Sequence, residues 1–304
     1  MPLGAAHVTK ASAASFVPQI WSDEVIASFK KKLVMANLIK SMSFVGKKGD
    51  TLHIPAPTRG AVTAKVASTQ VNLQAATEGE RLISINKHFE YSRLIEDIVE
   101  TQALASLRGF YTQDAGYALA RQIDTDLMQL ARSVNGGSGT NVYANAFSGA
   151  DGVTAYVAGA NTGLGAITDV ALRRAIQRLD DADVPMEDRF LVVPPSSMNS
   201  LRGTSRFTEQ AFIGSGNVIK TGQMGDLYGT PVYVTTNADT TSGTTAARTV
   251  LLAHKDFAVL AMQKEVRSQT QYKQEYLGNL FTADVLYGLG ELRDDAAVVL
   301  AVPA

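Results

Sequence analysis

The sequence predicts an α+β fold, and three observations carry that prediction. Two period-two stretches lie close together between residues 50 and 91. One helical pattern runs from about residue 94 to 134. The end of the chain is dominated by β-branched and aliphatic runs separated by turns. With 304 residues and 45% hydrophobic composition, the chain can bury a substantial core, in one large domain or two intimately joined ones.

Residues 1 to about 15 are small and polar and read as a mobile lead-in. A helix is expected next. Ser22 suits its N-cap, Asp23 and Glu24 suit its first turn, and Val25, Phe29, Leu33 and Leu38 approximate an apolar stripe just after Trp21. Within it, Lys30, Lys31 and Lys32 form either a solvated helix face or a contact to an acidic neighbour or nucleic acid. "DTLHIP" then alternates as a strand, and Ile83, Ile85, Phe89 and Tyr91 share one face of a returning strand. Between them, residues 58–80 hold Thr, Ala, Gln and Val but few large apolar groups. Such a hairpin cannot bury itself, so it is expected to pack on a neighbouring chain.

The long helical segment begins at "LIEDIVETQ", where Glu96, Asp97 and Glu100 suit a helix start, and stops at Asn135-Gly136-Gly137. Leu119, Ile123, Leu127, Leu130 and Val134 form its apolar face, continued upstream by Leu104, Leu107, Tyr111, Ala115 and Ala118. At 1.5 Å per residue it spans roughly 50–60 Å. Gly109 and Gly116 allow a bend or a close approach. After an irregular Gly-rich stretch comes a second helix. Thr168 is its N-cap, Leu172, Ala175, Ile176 and Leu179 are its buried stripe, and Pro185 is its stop. "RFLVVPP" reads as a buried strand, "SSMNSLRG" as a short helix capped by Ser196 and Ser197, and "MGDLYGTPVYVTTNA" as a turn between strands. Strand-like runs close the chain.

Chemistry is hard to place. The net charge of −1 and pI near 6.4 give no bulk drive toward a polyanion. With no cysteine, disulfides, thiolate metal sites and a Cys nucleophile are excluded. His7, His53, His88 and His254 are scattered without metal-ligand spacing, and His53 reads as structural. "GSGNVIKTG" at 214–222 and "GGSGTN" at 136–141 complete no phosphate-binding motif. The carboxylates of "IEDI" and "DDAD" read as helix-end charges. The expectation is no enzyme, with no catalytic, cofactor-binding or metal-site residues. No run reaches bilayer-spanning length, and no signal peptide is recognisable, so the chain is expected to stay where it is made.

The order of elements carries a resemblance. "FVPQIWSDEV", "GDTLHIP", "YSRLIEDIVETQA" and "GDLYGTPVYVT" follow one another at spacings similar to those of the major capsid proteins of tailed double-stranded DNA bacteriophages, the Hong Kong 97-type capsid fold. The likeness covers about residues 15 to 300, and its strength lies in order and spacing. It implies an N-terminal arm and helix (1–45), an extended loop (46–92) and a peripheral domain with a spine helix (93–150). An axial domain with adjoining peripheral segments (151–260) and returning strands (261–304) complete it. "YSRLIEDIVETQA" would begin the spine helix, and Gly225, Gly229 and Pro231 would shape a register-setting turn.

The resemblance also implies a role. The chain would self-assemble as pentamers and hexamers into an icosahedral head, enclosing double-stranded DNA without sequence-specific binding and without a membrane. Its location would be the virion, after assembly in the host cytoplasm. Only about 15 residues precede "FVPQIW", which suggests a separate scaffolding protein or a mature chain already processed, with Met1 favouring the former. A portal, and optionally a cement protein, would be further partners. Lys30, Lys31, Lys32, Lys40, Lys47 and Lys48 are candidates for scaffold or neighbour contacts, while Lys65 in the loop gives no ground for a covalent cross-link. The alternatives are the shell of an encapsulin-like nanocompartment and, in another class, a soluble α+β enzyme or ligand-binding protein.

Overall fold

The computed structural model describes residues 34–45, 48–57, 60, 62–71, 73, 78–97, 106–136, 146–156, 164–204, 225–241 and 247–304. In chain order the first elements are α1 (Met35–Leu38), β1 (Lys40–Ser43), β2 (Thr51–Pro57), β3 (Glu78–Ser84) and β4 (Lys87–Glu96). Next come α2 (Ser106–Leu130), β5 (Phe147–Ser148), α3 (Asp169–Asp181), β6 (Arg189–Val193) and α4 (Pro195–Arg202). The rest are strands: β7 (Asp226–Leu227), β8 (Thr230–Val234), β9 (Thr240–Thr241), β10 (Ala247–His254), β11 (Ala258–Lys273), β12 (Gly278–Glu291) and β13 (Ala297–Pro303). The expected helix from Ser22, with Lys30 to Lys32, lies outside the described residues, as do residues 98–105 and the 214–222 segment.

Among the described residues the strands form three sheets. The first has the order β1-β11-β12-β4, with β1 parallel to β11 and the other pairs antiparallel. Strand periodicity gives it two distinct faces. Ala283, Val285, Tyr287 and Leu289 of β12, Leu260 of β11 and Phe89 and Tyr91 of β4 belong to the main core, where α2 packs. The opposite face carries Val259 and Ala261, and Ile83, Leu52, Ile54 and Ile85 at the foot of the β2–β3 hairpin cover it in a second small core. The second sheet has the order β5-β13-β10-β6-β8-β7, with β9 also on β10. Its centre is continuous apolar sequence. Every residue of β6 and all but the last of β13 are buried, which matches fully buried strands rather than half-solvated ones. Each fully buried large aliphatic side chain there contributes about 2 kcal/mol. β2 and β3 form a separate two-stranded sheet.

The helices follow their sequence signals unevenly. α3 starts at the expected cap, where Thr168 Oγ1 accepts the Ala171 N–H, and it buries Ala171, Leu172, Ala175 and Leu179. In α2, Ala115, Leu119, Ile123, Leu127 and, in the following 3-10 turn, Val134 are buried as the pattern predicts. Its start is corrected. "YSRLIE" lies in β4, because ten residues from Lys87 to Glu96 pair with Tyr287 to Gly278 of β12 and that ladder outweighs local helix propensity. Glu96 is therefore a strand residue rather than a helix-start charge. Residues 131–136 are 3-10 rather than α-helix. A side chain at Gly116 would meet nothing within 4 Å, so no close approach explains it. Ser196 and Ser197 are not caps. Pro194 is the N-cap of α4 and Pro195 its first residue, and proline's fixed φ starts the helix ahead of both serines.

Two buried carboxylates on α2 tie the subunit together. Asp124, 1% exposed, accepts from the backbone N–H groups of Val34 (3.0 Å) and Met35 (2.8 Å) and from Asn237 Nδ2 (2.7 Å). Asp126 accepts from Lys87 Nζ (2.8 Å), Tyr287 Oη (2.7 Å) and Gln122 Nε2 (3.0 Å). Burial first, and then the bond to Asp126, push the Tyr287 hydroxyl far above its ordinary pKa, so it stays a donor. Beyond the helix, Arg132 holds Asp239 by two bonds of 2.6 and 2.8 Å. Segment 34–35, strands β4 and β12 and loop 235–239 thus meet on one helix.

Asp124→Ala would leave three buried donors without their acceptor. Unpaired buried polar groups cost about 1–3 kcal/mol each. We expect urea unfolding to show a loss of roughly 3–5 kcal/mol, with Asp124→Asn intermediate. A loss below about 1 kcal/mol, the level of an ordinary surface change, would contradict this role.

A further carboxylate, Asp284 on β12, faces Arg267 (3.0 and 3.1 Å), His88 (3.4 Å) and Lys264 (3.6 Å). Hydrogen bonding from Arg267 is the main cause that lowers its pKa, His88 adds to it, and partial burial opposes it. A lowered folded-state value means that the contribution is complete above the unfolded pKa of about 4 and is lost as pH falls below it. Stability measured against pH should therefore show an acid limb below about pH 4 that Arg267→Gln flattens. An unchanged limb in that variant would refute the assignment.

Candidate functional site

The sequence pointed to the β2–β3 hairpin as the element least able to satisfy itself. β2 and β3 pair antiparallel from Thr51↔Ser84 to Pro57↔Glu78. The described residues between them form neither helix nor strand, and Val62 (100% exposed), Val66 (69%), Val71 (66%) and Leu73 (91%) stand open to solvent in the lone chain. Local order there is modest. The Thr69 N–H and Oγ1 both donate to the Val66 carbonyl around Ser68, whose φ is +64°. Four aliphatic side chains on one projection, with no core of their own, are the pattern of a surface awaiting a partner.

The foot of the hairpin, by contrast, is fixed. His53 Nδ1 lies 2.9 Å from Glu80 Oε2 across the two strands, and both side chains are exposed. Arg81 reaches Asp294 at 3.1 Å, Gln263 Nε2 donates to the Gly49 carbonyl at 2.8 Å, and Ile83 is 1% exposed. A second group of exposed apolar side chains lies at the far end of the first sheet: Leu94, Tyr272, Tyr276 and Leu277.

The "GDLYGTPVY" segment makes a tight hairpin. Tyr228 (φ +52°) and Gly229 (φ +74°) are the two central residues, and two successive positive φ values define a type I′ turn. Register follows as Leu227↔Thr230 and Asp226↔Pro231, and β8 then runs parallel to β6 with Val232 opposite Leu191. Pro231 is thus a strand residue rather than part of the turn. Tyr228 Oη donates to the Asp169 carboxylate in the first turn of α3, which anchors the turn to that helix. This segment positions structure and holds no reactive group.

Residues singled out for chemistry do not converge. His53 pairs with Glu80, His88 with Asp284, and His254 Nδ1 accepts the Asp256 N–H at 3.1 Å. His7, Lys30 to Lys32 and Lys47 lie outside the described residues, whereas Lys40, Lys48 and Lys65 are exposed. Of 136–141 only residue 136 is described. Among the described residues no group of three His, Asp or Glu side chains is arranged to hold a metal ion. No described helix is long and apolar enough to cross a membrane. A cleft of about 500 Å³ lies beside the end of α3, lined by Phe147, Arg178, Asp181 and Asp295. Its arginine is already engaged, 3.7 Å from the Phe147 ring centroid and bonded to the Gly152 carbonyl.

Comparison with known proteins gives the fold and the family. A chain of Mycobacterium phage Che8 is 22% identical, with a TM-score of 0.75 over 94% of this chain and 97% of that one. The capsid of cyanophage P-SCSP1u is similar at 18% identity and a TM-score of 0.75, covering 99% of this chain and 96% of that one. The mature capsid of bacteriophage PhiM1 is similar at 14% identity and a TM-score of 0.74, covering 99% and 97%. The α+β arrangement is thus the Hong Kong 97-type capsid fold expected from the sequence. No curated protein matches in sequence. The family model described as phage capsid protein matches residues 42–299, most of the 304-residue chain, and the chain therefore belongs to the phage capsid protein family.

Proposed function

We propose that this chain is the major capsid subunit of a tailed phage, assembling as pentamers and hexamers into the icosahedral head around double-stranded DNA. The observation that carries the reading is the β2–β3 hairpin, with a fixed foot and Val62, Val66, Val71 and Leu73 exposed along its projection. A neighbouring subunit would supply the apolar surface that the hairpin lacks. Each such contact is weak, and closure comes from repeating it by symmetry across many copies.

In this reading residues 46–92 are the extended loop. The first sheet with α2 belongs to the peripheral domain, and the second sheet with α3 and α4 to the axial domain gathered around the pentamer and hexamer centres. The role is structural, without catalysis. A net charge of −1 gives little drive toward phosphate, so DNA is enclosed rather than gripped, without sequence preference. A separate scaffolding protein and a portal are the partners such assembly uses, with the lysines from Lys30 onward available for docking. Assembly takes place in the host cytoplasm and the product is the virion.

Replacing residues 59–78 with a short turn tests the reading. The shortened chain should fold, with the circular dichroism of its parent, yet give no closed shells by negative-stain microscopy and sedimentation. Closed shells in the parent's yield would contradict the assignment. Parent particles filled with protein instead of DNA would mark a nanocompartment.

A further inference from the structure

The β2–β3 sheet pairs with no other described strand, so its direction is set where its foot meets β12. Gly288 and Gly290 are successive residues on the β12 face turned away from α2, opposite Ala261 and Val259 of β11. Neither has a positive φ, so glycine is not needed there for its backbone freedom. What it supplies is room. A β-carbon at Gly290 would lie 2.4 Å from Ile83 Cγ1, 2.9 Å from Cδ1 and 3.2 Å from Cγ2. One at Gly288 would lie 2.6 Å from the Ser84 carbonyl oxygen and 3.0 Å from Ile85 Cα, which are main-chain contacts that a rotamer change cannot relieve. A glycine inside a strand weakens it and marks a close approach of another backbone.

The chain path explains the need. β4 pairs with β12 up to Lys87↔Tyr287. One residue further, at Gly288, the chain is no longer in that ladder. It lifts over the sheet face, Ile85 N–H bonds the Asp50 carbonyl at 2.7 Å, and Ile83 settles over Gly290. Arg81 then fixes the outer side by its ion pair with Asp294.

We propose that Gly288 and Gly290 form a notch that sets the direction in which the β2–β3 hairpin leaves the subunit, and so whether it reaches a second copy of this chain. They are positioning residues. Gly290 acts through Ile83, and Gly288 through the main chain at Ser84 and Ile85. The proposal rests on the hairpin's assembly role.

The test is a size exchange in the full chain. In Gly290→Ala the subunit should keep its circular dichroism, while the yield of closed shells falls about tenfold, the scale of a lost direct contact. Adding Ile83→Ala removes the three clashing atoms and should restore the yield. Because the chain lacks cysteine, spin labels at Val62→Cys and Val170→Cys report hairpin direction in unassembled subunits. Their separation should shift in Gly290→Ala and return in the double variant. An unchanged separation, or a loss that Ile83→Ala does not repair, would overturn the proposal. If the unaltered chain forms no shells, the assembly reading fails while the label distances still decide the notch. Should Gly290→Ala fail to fold, Ile83→Ala alone decides: a broadened label distance supports the notch and an unchanged one overturns it.

Discussion

Two carboxyl side chains buried on one helix constrain everything else in this subunit. Asp124 and Asp126 sit two positions apart in the C-terminal third of α2, so they point to different sides of it. Burying a carboxylate is costly unless its oxygens are fully paired, and here the pairing comes from segments distant in sequence. Asp124 draws in the main chain at Val34 and Met35 together with Asn237. Asp126 draws in Lys87 and Tyr287 from two strands of the first sheet. Apolar packing alone would leave the helix free to slide or rotate at modest cost. The carboxylates remove that freedom, because any displacement strands a charge.

That internal closure makes the unsatisfied parts informative. The first sheet is used on both faces, by α2 on one and by the hairpin foot on the other. Among the described residues, the hairpin beyond its foot packs on nothing of its own. Buried carboxylates bonded so firmly inside, beside four aliphatic residues exposed on a projection, fit the proposed assembly role, in which a partner's surface would continue the core. In that reading each copy would both offer a projection and receive one.

Much of this was legible in the sequence. The Thr168 cap, the α3 stripe, the apolar runs of β6 and β13 and the presence of a turn in "GDLYGTPVY", though not its centre at Tyr228-Gly229, obey local rules, and local rules suffice where one element decides its own conformation. Errors arose where a partner decides. "YSRLIE" ends in Glu96, which suits a helix start, but pairing with β12 makes it strand to Glu96. Ser196 and Ser197 suit a cap, but two prolines move the helix start ahead of them. Asp124 and Asp126 look like solvated helix charges until their distant donors are seen. Gly288 and Gly290 could have been noticed, as two glycines at period two in an otherwise apolar strand, yet only the crossing of Ile83 shows what they are for. The resemblance to capsid proteins was readable because order and spacing integrate many weak local signals.

The subunit is closed around α2, and in the proposed assembly a neighbour completes it at its hairpin. Electron cryo-microscopy of particles purified with their contents tests this most directly. The account predicts a closed shell in which residues 62–73 lie on an adjacent subunit, with Val62, Val66, Val71 and Leu73 covered there. A shell in which those residues stay solvent-exposed, or fold back on their own subunit, would contradict it.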